Sequence, residues 1–173
     1  MYLFWISYGL NWCIVVLLWI MYMKGKSSRS TNPDPQALAE KNLIGSIFPI
    51  QIFKTVDQRF VSTTSREYTV LFFVTPECDG CKKIITELEG ISGIDQDNLI
   101  MISFGEESDA KALVENLKIR QPVTAYDFKY VELFGVNMLP YAVIVNANGI
   151  VIAKGEIDFP SSLAKMIDNL PSF

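Results

Sequence analysis

At 173 residues the chain is long enough for one domain with a sizeable core, and its net charge of −4 gives no footing for nucleic-acid binding. It contains no histidine, which excludes Cys-His and Ser-His catalysis and removes the commonest zinc and haem ligand. Three cysteines are too few for a disulfide scaffold, and neither a metal site nor a cofactor is expected.

Residues 2–23 (YLFWISYGLNWCIVVLLWIMYM) carry no charge. At ~1.5 Å per residue this run gives ~33 Å of helix, enough to cross a bilayer. No basic segment precedes it and no small-residue cleavage site follows, so an uncleaved anchor is expected rather than a signal peptide. Cys13 reads as an apolar filler of the span. Lys24, Lys26 and Arg29 follow the span, and the positive-inside rule alone would place the rest of the chain in the cytoplasm. Residues 24–42, basic, then serine-rich, then Asn-Pro-Asp-Pro, read as a flexible linker. The folded domain is expected over residues 43–173.

Within that domain a short strand is expected around residues 50–54, followed by turn and connection over 57–66. Residues 68–75 (YTVLFFVT) are β-branched and aromatic, the composition of a buried strand. Cys78-Asp79-Gly80-Cys81 comes directly after it. From Lys82 the pattern turns helical, with Ile84, Ile85 and Leu88 on one stripe. Residues 98–104 (NLIMISF) predict a buried strand, 105–109 a turn, and 110–117 (AKALVENL) a short amphipathic helix. Residues 122–126 read as a loop or short extended segment, and 128–134 as a helical turn stopped by Gly135. Strands are expected at 142–145 and 150–155, joined by the turn Asn-Ala-Asn-Gly at 146–149. Ser161, after Pro160, is the expected cap of a terminal helix running to residue 170. This alternation predicts an α/β domain, a central mixed sheet with helices on both faces.

Two cysteines three positions apart at a helix start lie within disulfide reach. The helix N-terminus stabilises a thiolate on the first of them. A four-residue loop gains little stability from a crosslink, so the pair points to reactivity rather than to structure. Lys82 should lower the pKa of Cys78, and the anionic neighbours Glu77 and Asp79 should raise it. With no histidine between the cysteines, a reductant or mild exchanger is expected rather than a strong oxidant. Two other readings are a thiol peroxidase, for which Thr75-x-x-Cys78 is a partial match, and a non-catalytic binding module.

Three segments in order, FFVTPECDGCKK (72–83), FGVNMLPY (134–141) and AVIVNANGIVIAKG (142–155), resemble membrane-anchored thioredoxin-like proteins. These include the cytochrome-maturation type and the type that matures methylamine dehydrogenase. The resemblance covers residues 45–173. It implies a thioredoxin fold, with Cys78 as attacking and Cys81 as resolving cysteine. It makes Pro140 the proline that is cis in that fold and orients substrate backbone, with Leu139 before it bordering the dithiol and affecting client choice. It implies a protein thiol–disulfide oxidoreductase whose client carries a disulfide or thiols and whose electron donor is another membrane dithiol carrier. It also implies a single-pass protein of the cell membrane with its redox domain outside the cytoplasm, against the bias of the flanking charges. The chain departs from the family pattern in several places. Pro76 and Glu77 stand where tryptophan is usual. Phe72 replaces thioredoxin's buried acid, and Ile84 replaces the glutamate of the cytochrome-maturation type. The usual proton acceptor for the resolving thiol is therefore missing, with Glu87 or a water as its expected replacement.

Overall fold

The computed structural model of the protein describes residues 43–88 and 95–170. The expected span at 2–23, Cys13 and the linker at 24–42 lie outside the described residues. Among those described, no helix is long and apolar enough to cross a membrane.

The domain is built on a five-stranded sheet in the order β5-β4-β3-β6-β7. Its centre is β3 (Tyr68–Val74), whose last six residues are buried. Every second residue of such a strand faces the same side. β3 runs parallel to β4 (Leu99–Phe104), with Val70 opposite Leu99 and Val74 opposite Ser103. On its other side it runs antiparallel to β6 (Tyr141–Asn146), with Phe72 opposite Ala142. β5 (Val123–Tyr126) extends the sheet parallel to β4, and β7 (Val151–Glu156) extends it antiparallel to β6. The β6–β7 turn uses Gly149 at φ +74°, with Asn146 accepting from the backbone N–H groups of Asn148 and Ile150. The hairpin turn expected there has formed.

One face of the sheet shows Val70, Phe72, Val74, Leu99, Met101, Ala142 and Ile144. It is covered by α1 (Asp79–Leu88), α2 (Glu107–Leu117) and α3 (Pro160–Asp168), which bring Cys81, Ile84, Ile85, Leu88, Ala110, Leu113 and Leu163 into the same core. The other face shows Leu71, Phe73, Ile100, Ile102, Val143 and Val145, packed on Phe48, Phe53, Phe134 and Val136. Among the described residues the two faces are covered unequally. The α-helices described share one face, and the helical cover of the other is the 3-10 turn Phe128–Tyr130. Phe134 fills the remaining space, with the rings of Phe48, Phe73, Phe104, Tyr126 and Tyr130 centred 5.3–6.2 Å from its own.

Three expectations are corrected. Residues 57–66 are not all connection, because β2 (Phe60–Ser62) pairs antiparallel with β1 (Ile52–Lys54). The hairpin is closed by its turn, where the Thr55 hydroxyl donates to Asp57 and the Thr55 N–H donates to the Arg59 carbonyl. Phe53, opposite Val61, faces the core, while the apolar Ile52 and Phe60 face outward, so the apolar residues in the sequence do not by themselves mark the buried side. The hairpin also docks on the sheet, through Thr124 Oγ1 donating to the Lys54 carbonyl at 2.8 Å and Val56 N–H to the Val123 carbonyl at 2.8 Å. Residues 122–126, left open as loop or extended, thus form an edge strand. α2 starts at Glu107, three residues earlier than expected. Glu107 and Asp109 favour the positive end of the helix, and Glu107 pairs with Lys111 at 2.7 Å. Ser161 is not a cap. Extended Phe159 precedes α3 and Pro160 occupies its first turn, where the missing N–H costs nothing.

Candidate active site

The site forms where β3 ends. Thr75, Pro76 and Glu77 lead out of the strand, and α1 begins at once, with the Cys78 N–H donating to the Thr75 carbonyl at 3.2 Å and the Lys82 N–H to the Cys78 carbonyl at 3.1 Å. This tight exit holds Cys78 just ahead of the helix. Cys78 and Cys81 are joined in a disulfide, their Cα atoms 5.2 Å apart. The two sulfurs are not equivalent. Cys81 is fully buried in the helical core, whereas Cys78 is half-buried. The Cys81 backbone N–H donates to Cys78 Sγ at 3.0 Å. A backbone N–H aimed at this sulfur, together with the helix field, is an arrangement that favours negative charge on it. A Cβ on Gly80 would stand 3.9 Å from Cys78 Sγ, so glycine keeps that side of the sulfur open.

The charges named from the sequence engage one another. Lys82 Nζ lies 3.3 Å from Asp79 Oδ1, a pair open to solvent. The Thr75 hydroxyl donates to the Glu77 carboxylate. That bond, a backbone hydrogen bond within Glu77 and the attraction of Lys82 hold the Glu77 carboxyl below its ordinary range. Glu77 is consequently an anion at neutral pH, immediately before Cys78 in the chain. The Thr75 hydroxyl is thus directed to Glu77.

The Leu139–Pro140 peptide is cis. The Pro140 carbonyl accepts from the Ile157 N–H at 3.0 Å, tying this turn to the end of β7. Leu139 is half-buried and packs against both core layers, including the one that contains the two cysteines. Tyr141 is buried in the second layer, and burial pushes its hydroxyl pKa up. Sequence reasoning missed two residues of this rim. Met138 is 58% exposed and Phe159 is 66% exposed, flanking the Leu139–Pro140 turn and the Ile157 that ties it down. A large apolar side chain next to a proline or a cap position looks like core filler until its exposure is known.

Comparison with known proteins agrees with this geometry. The family model described as a thioredoxin-like domain matches residues 57–170, more than half of the chain. The chain belongs to the thioredoxin-like family. The methylamine utilization protein MauD of Paracoccus versutus is 24% identical over 108 residues, 62% of this chain and 55% of that protein. MauD of Methylophilus methylotrophus is 23% identical over 116 residues, 65% of this chain and 55% of that protein. The chain thus spans about half the length of the curated relatives it matches. Among solved structures, the thioredoxin domain of a thiol-disulfide oxidoreductase from Bacteroides vulgatus has a TM-score of 0.56 at 17% identity, over 72% of this chain and 97% of that one. A secreted disulfide oxidoreductase of Mycobacterium tuberculosis has a TM-score of 0.55 at 15% identity, over 69% and 95%. At such identities the structural likeness concerns the fold.

Proposed function

We propose that this protein is a membrane-tethered thiol–disulfide oxidoreductase that reduces or exchanges disulfides of client proteins. The observation that carries the reading is the asymmetry of the pair: a reachable Cys78 sulfur receiving a backbone N–H at the start of α1, and a Cys81 sulfur buried behind it. The Cys78 thiolate attacks a client disulfide. A bond forms between Cys78 and one client sulfur, and the other client sulfur leaves as a thiolate. Cys81 then loses its proton and attacks Cys78 Sγ. The Cys78–Cys81 bond forms, and the second client sulfur leaves. The client gains two electrons and two protons, and the pair becomes a disulfide. A membrane dithiol carrier returns it to the dithiol form.

In this reading Pro140 and Leu139 present the client backbone to the pair, and exposed Met138 and Phe159 offer apolar contact to an unfolded or extended client. Glu77 and Asp79 oppose Lys82 in setting thiolate stability. Residues 1–23 anchor the protein as a single span of the cell membrane, 24–42 act as tether, and 43–173 form the redox domain on the extracytoplasmic side. The compartment argument supports that side, because disulfides are made and broken outside the cytoplasm.

The test uses the full chain in membranes. Cys81→Ser should accumulate a mixed disulfide between Cys78 and client proteins, seen as a reductant-sensitive gel shift, and Cys78→Ser should accumulate none. Equal adducts from both variants, or none from either, would contradict the assignment.

A further inference from the structure

The chemistry above leaves a gap. Cys81 must release a proton inside an apolar core, and the positions where an acid would be looked for are closed. Phe72 is fully buried, Ile84 is 4% exposed, and both belong to the core around Cys81. Glu87 is exposed, whereas the residues of α1 that share the Cys81 face are Ile84, Ile85 and Leu88. One polar group stands on the right side of the sheet. Ser103 is 1% exposed, and its Oγ has no hydrogen-bond partner among the described residues. Buried hydroxyls are nearly always paired, because an unpaired one costs about 1–3 kcal/mol.

Ser103 is the residue of β4 opposite Val74 in the parallel register and next to Ala125 of β5. Leu99 and Met101 on the same strand face the core that contains Cys81, and Ile100, Ile102 and Phe104 face the other. Alternation therefore aims Ser103 at the layer of Val74 and Cys81. The end of β4 also abuts the dithiol loop, since a Cβ on Gly105 would lie 3.9 Å from Pro76 Cδ. Outside this corner, between the start of α1 and α2, lies a cleft of ≈ 460 Å³ lined by Pro76, Glu77, Lys82, Asp109 and Leu113.

We propose that Ser103 takes the place of the missing acid, its hydroxyl holding a water that carries the Cys81 proton to the cleft. This rests on the exchange reaction proposed above. A hydroxyl is donor and acceptor at once, so it passes a proton on with no net change of its own. In the resolving step the Cys81 S–H bond breaks, its proton moves through the water and hydroxyl to solvent, and the new thiolate attacks Cys78 Sγ. Ser103 is a positioning residue, since it acts through Cys81. The ionisable groups facing this corner are Glu77 ahead of α1, Lys82 on α1 and Asp109 on α2. β5 offers Val123 and Ala125 to this layer, α3 offers Leu163, and β3 offers only Tyr68, at its far end.

The experiment compares the full-length wild type, Ser103→Ala and Ser103→Thr in detergent. Two rates are followed across pH: attack of Cys78 on a small aromatic disulfide, and the subsequent closure of Cys78–Cys81 that releases the second thiol. Ser103→Ala should leave attack unchanged, slow closure about tenfold and move its pH midpoint up by about one unit, less than the ~10²–10⁴-fold of a group that takes the proton itself, because Ser103 acts by positioning a water. Ser103→Thr, which keeps the hydroxyl, should restore both. Removing a hydroxyl that no protein group bonds should not unfold the protein. Closure in Ser103→Ala with wild-type rate and pH profile would overturn the relay alone. Slowed attack, or no rescue by threonine, would overturn it in favour of packing. A wild type that attacks no disulfide would sink the exchange reading itself.

Discussion

Phe134→Ala is the substitution from which the fold predicts most. Phe134 is fully buried at the hub of five aromatic rings, the nearest centroids being Tyr126 at 5.3 Å and Phe48 and Phe73 at 5.5 Å. Truncating a buried phenylalanine costs about 3–5 kcal/mol from lost transfer and the cavity left behind. Each aromatic contact adds about 0.5–1.5 kcal/mol beyond area, though neighbours in one cluster do not sum. The ring sits on the sheet face that carries no α-helix among the described residues, and the five rings around it line the space it fills. The expected loss is therefore about 5 kcal/mol, a several-thousand-fold shift toward the unfolded state. With a urea slope of about 2 kcal/mol per molar for a domain of this size, the midpoint should fall by about 2.5 M. Phe134→Leu, which keeps most of the volume, should lose about 1–2 kcal/mol. Urea titration followed by aromatic fluorescence measures both. A fall below about 0.5 M for Phe134→Ala would mean that the second core is not organised around this ring.

Three further outcomes are expected. Gly135→Ala should lower stability by about 1–2 kcal/mol, because φ is +62° there and an added Cβ would lie 2.6 Å from Leu43 Cδ1; in thermal unfolding, Leu43→Ala in the same chain should relieve the clash but not the backbone cost. Glu77→Gln removes an anion beside Cys78 and should stabilise its thiolate, raising the reduction potential by about 10–30 mV at low salt, with the difference shrinking as salt is added. Asp57 is held below the ordinary carboxylate range first by the Thr55 hydroxyl and then by Arg59, so its contribution is present above the unfolded value and lost as pH falls through the folded one; Thr55→Val should therefore be more destabilising at neutral pH than in acid, where Asp57 is protonated in both states, read from denaturation midpoints at each pH.

What could be read from the chain divides along physical lines. β3, β4, β6 and β7 were legible because their apolar runs are bounded by turns whose residues have one conformational use, as at Asn146 to Gly149. The cysteine pair was legible because its spacing is tied to chemistry, and Pro140 through the resemblance carried by residues 134–141. β2 was not, since Thr55, Asp57 and Arg59 close its hairpin by hydrogen bonds that leave no period in the sequence. The first turn of α2 is all polar, so its start at Glu107 depends on charge rather than on burial. Ser103 left one faint signal, a lone polar residue inside the run LIMISF, and only strand register shows which core it faces. Met138 and Phe159 are rim residues whose exposure is a property of the assembled fold.

The central claim is that Cys78 and Cys81 form a redox couple. Its most direct test is the reduction potential of the full chain with Cys13 replaced by serine, equilibrated with glutathione couples and read by alkylation and mass. The account predicts one reversible two-electron transition, below the roughly −220 mV of a reducing glutathione pool. A pair that does not interconvert reversibly between dithiol and disulfide would contradict it.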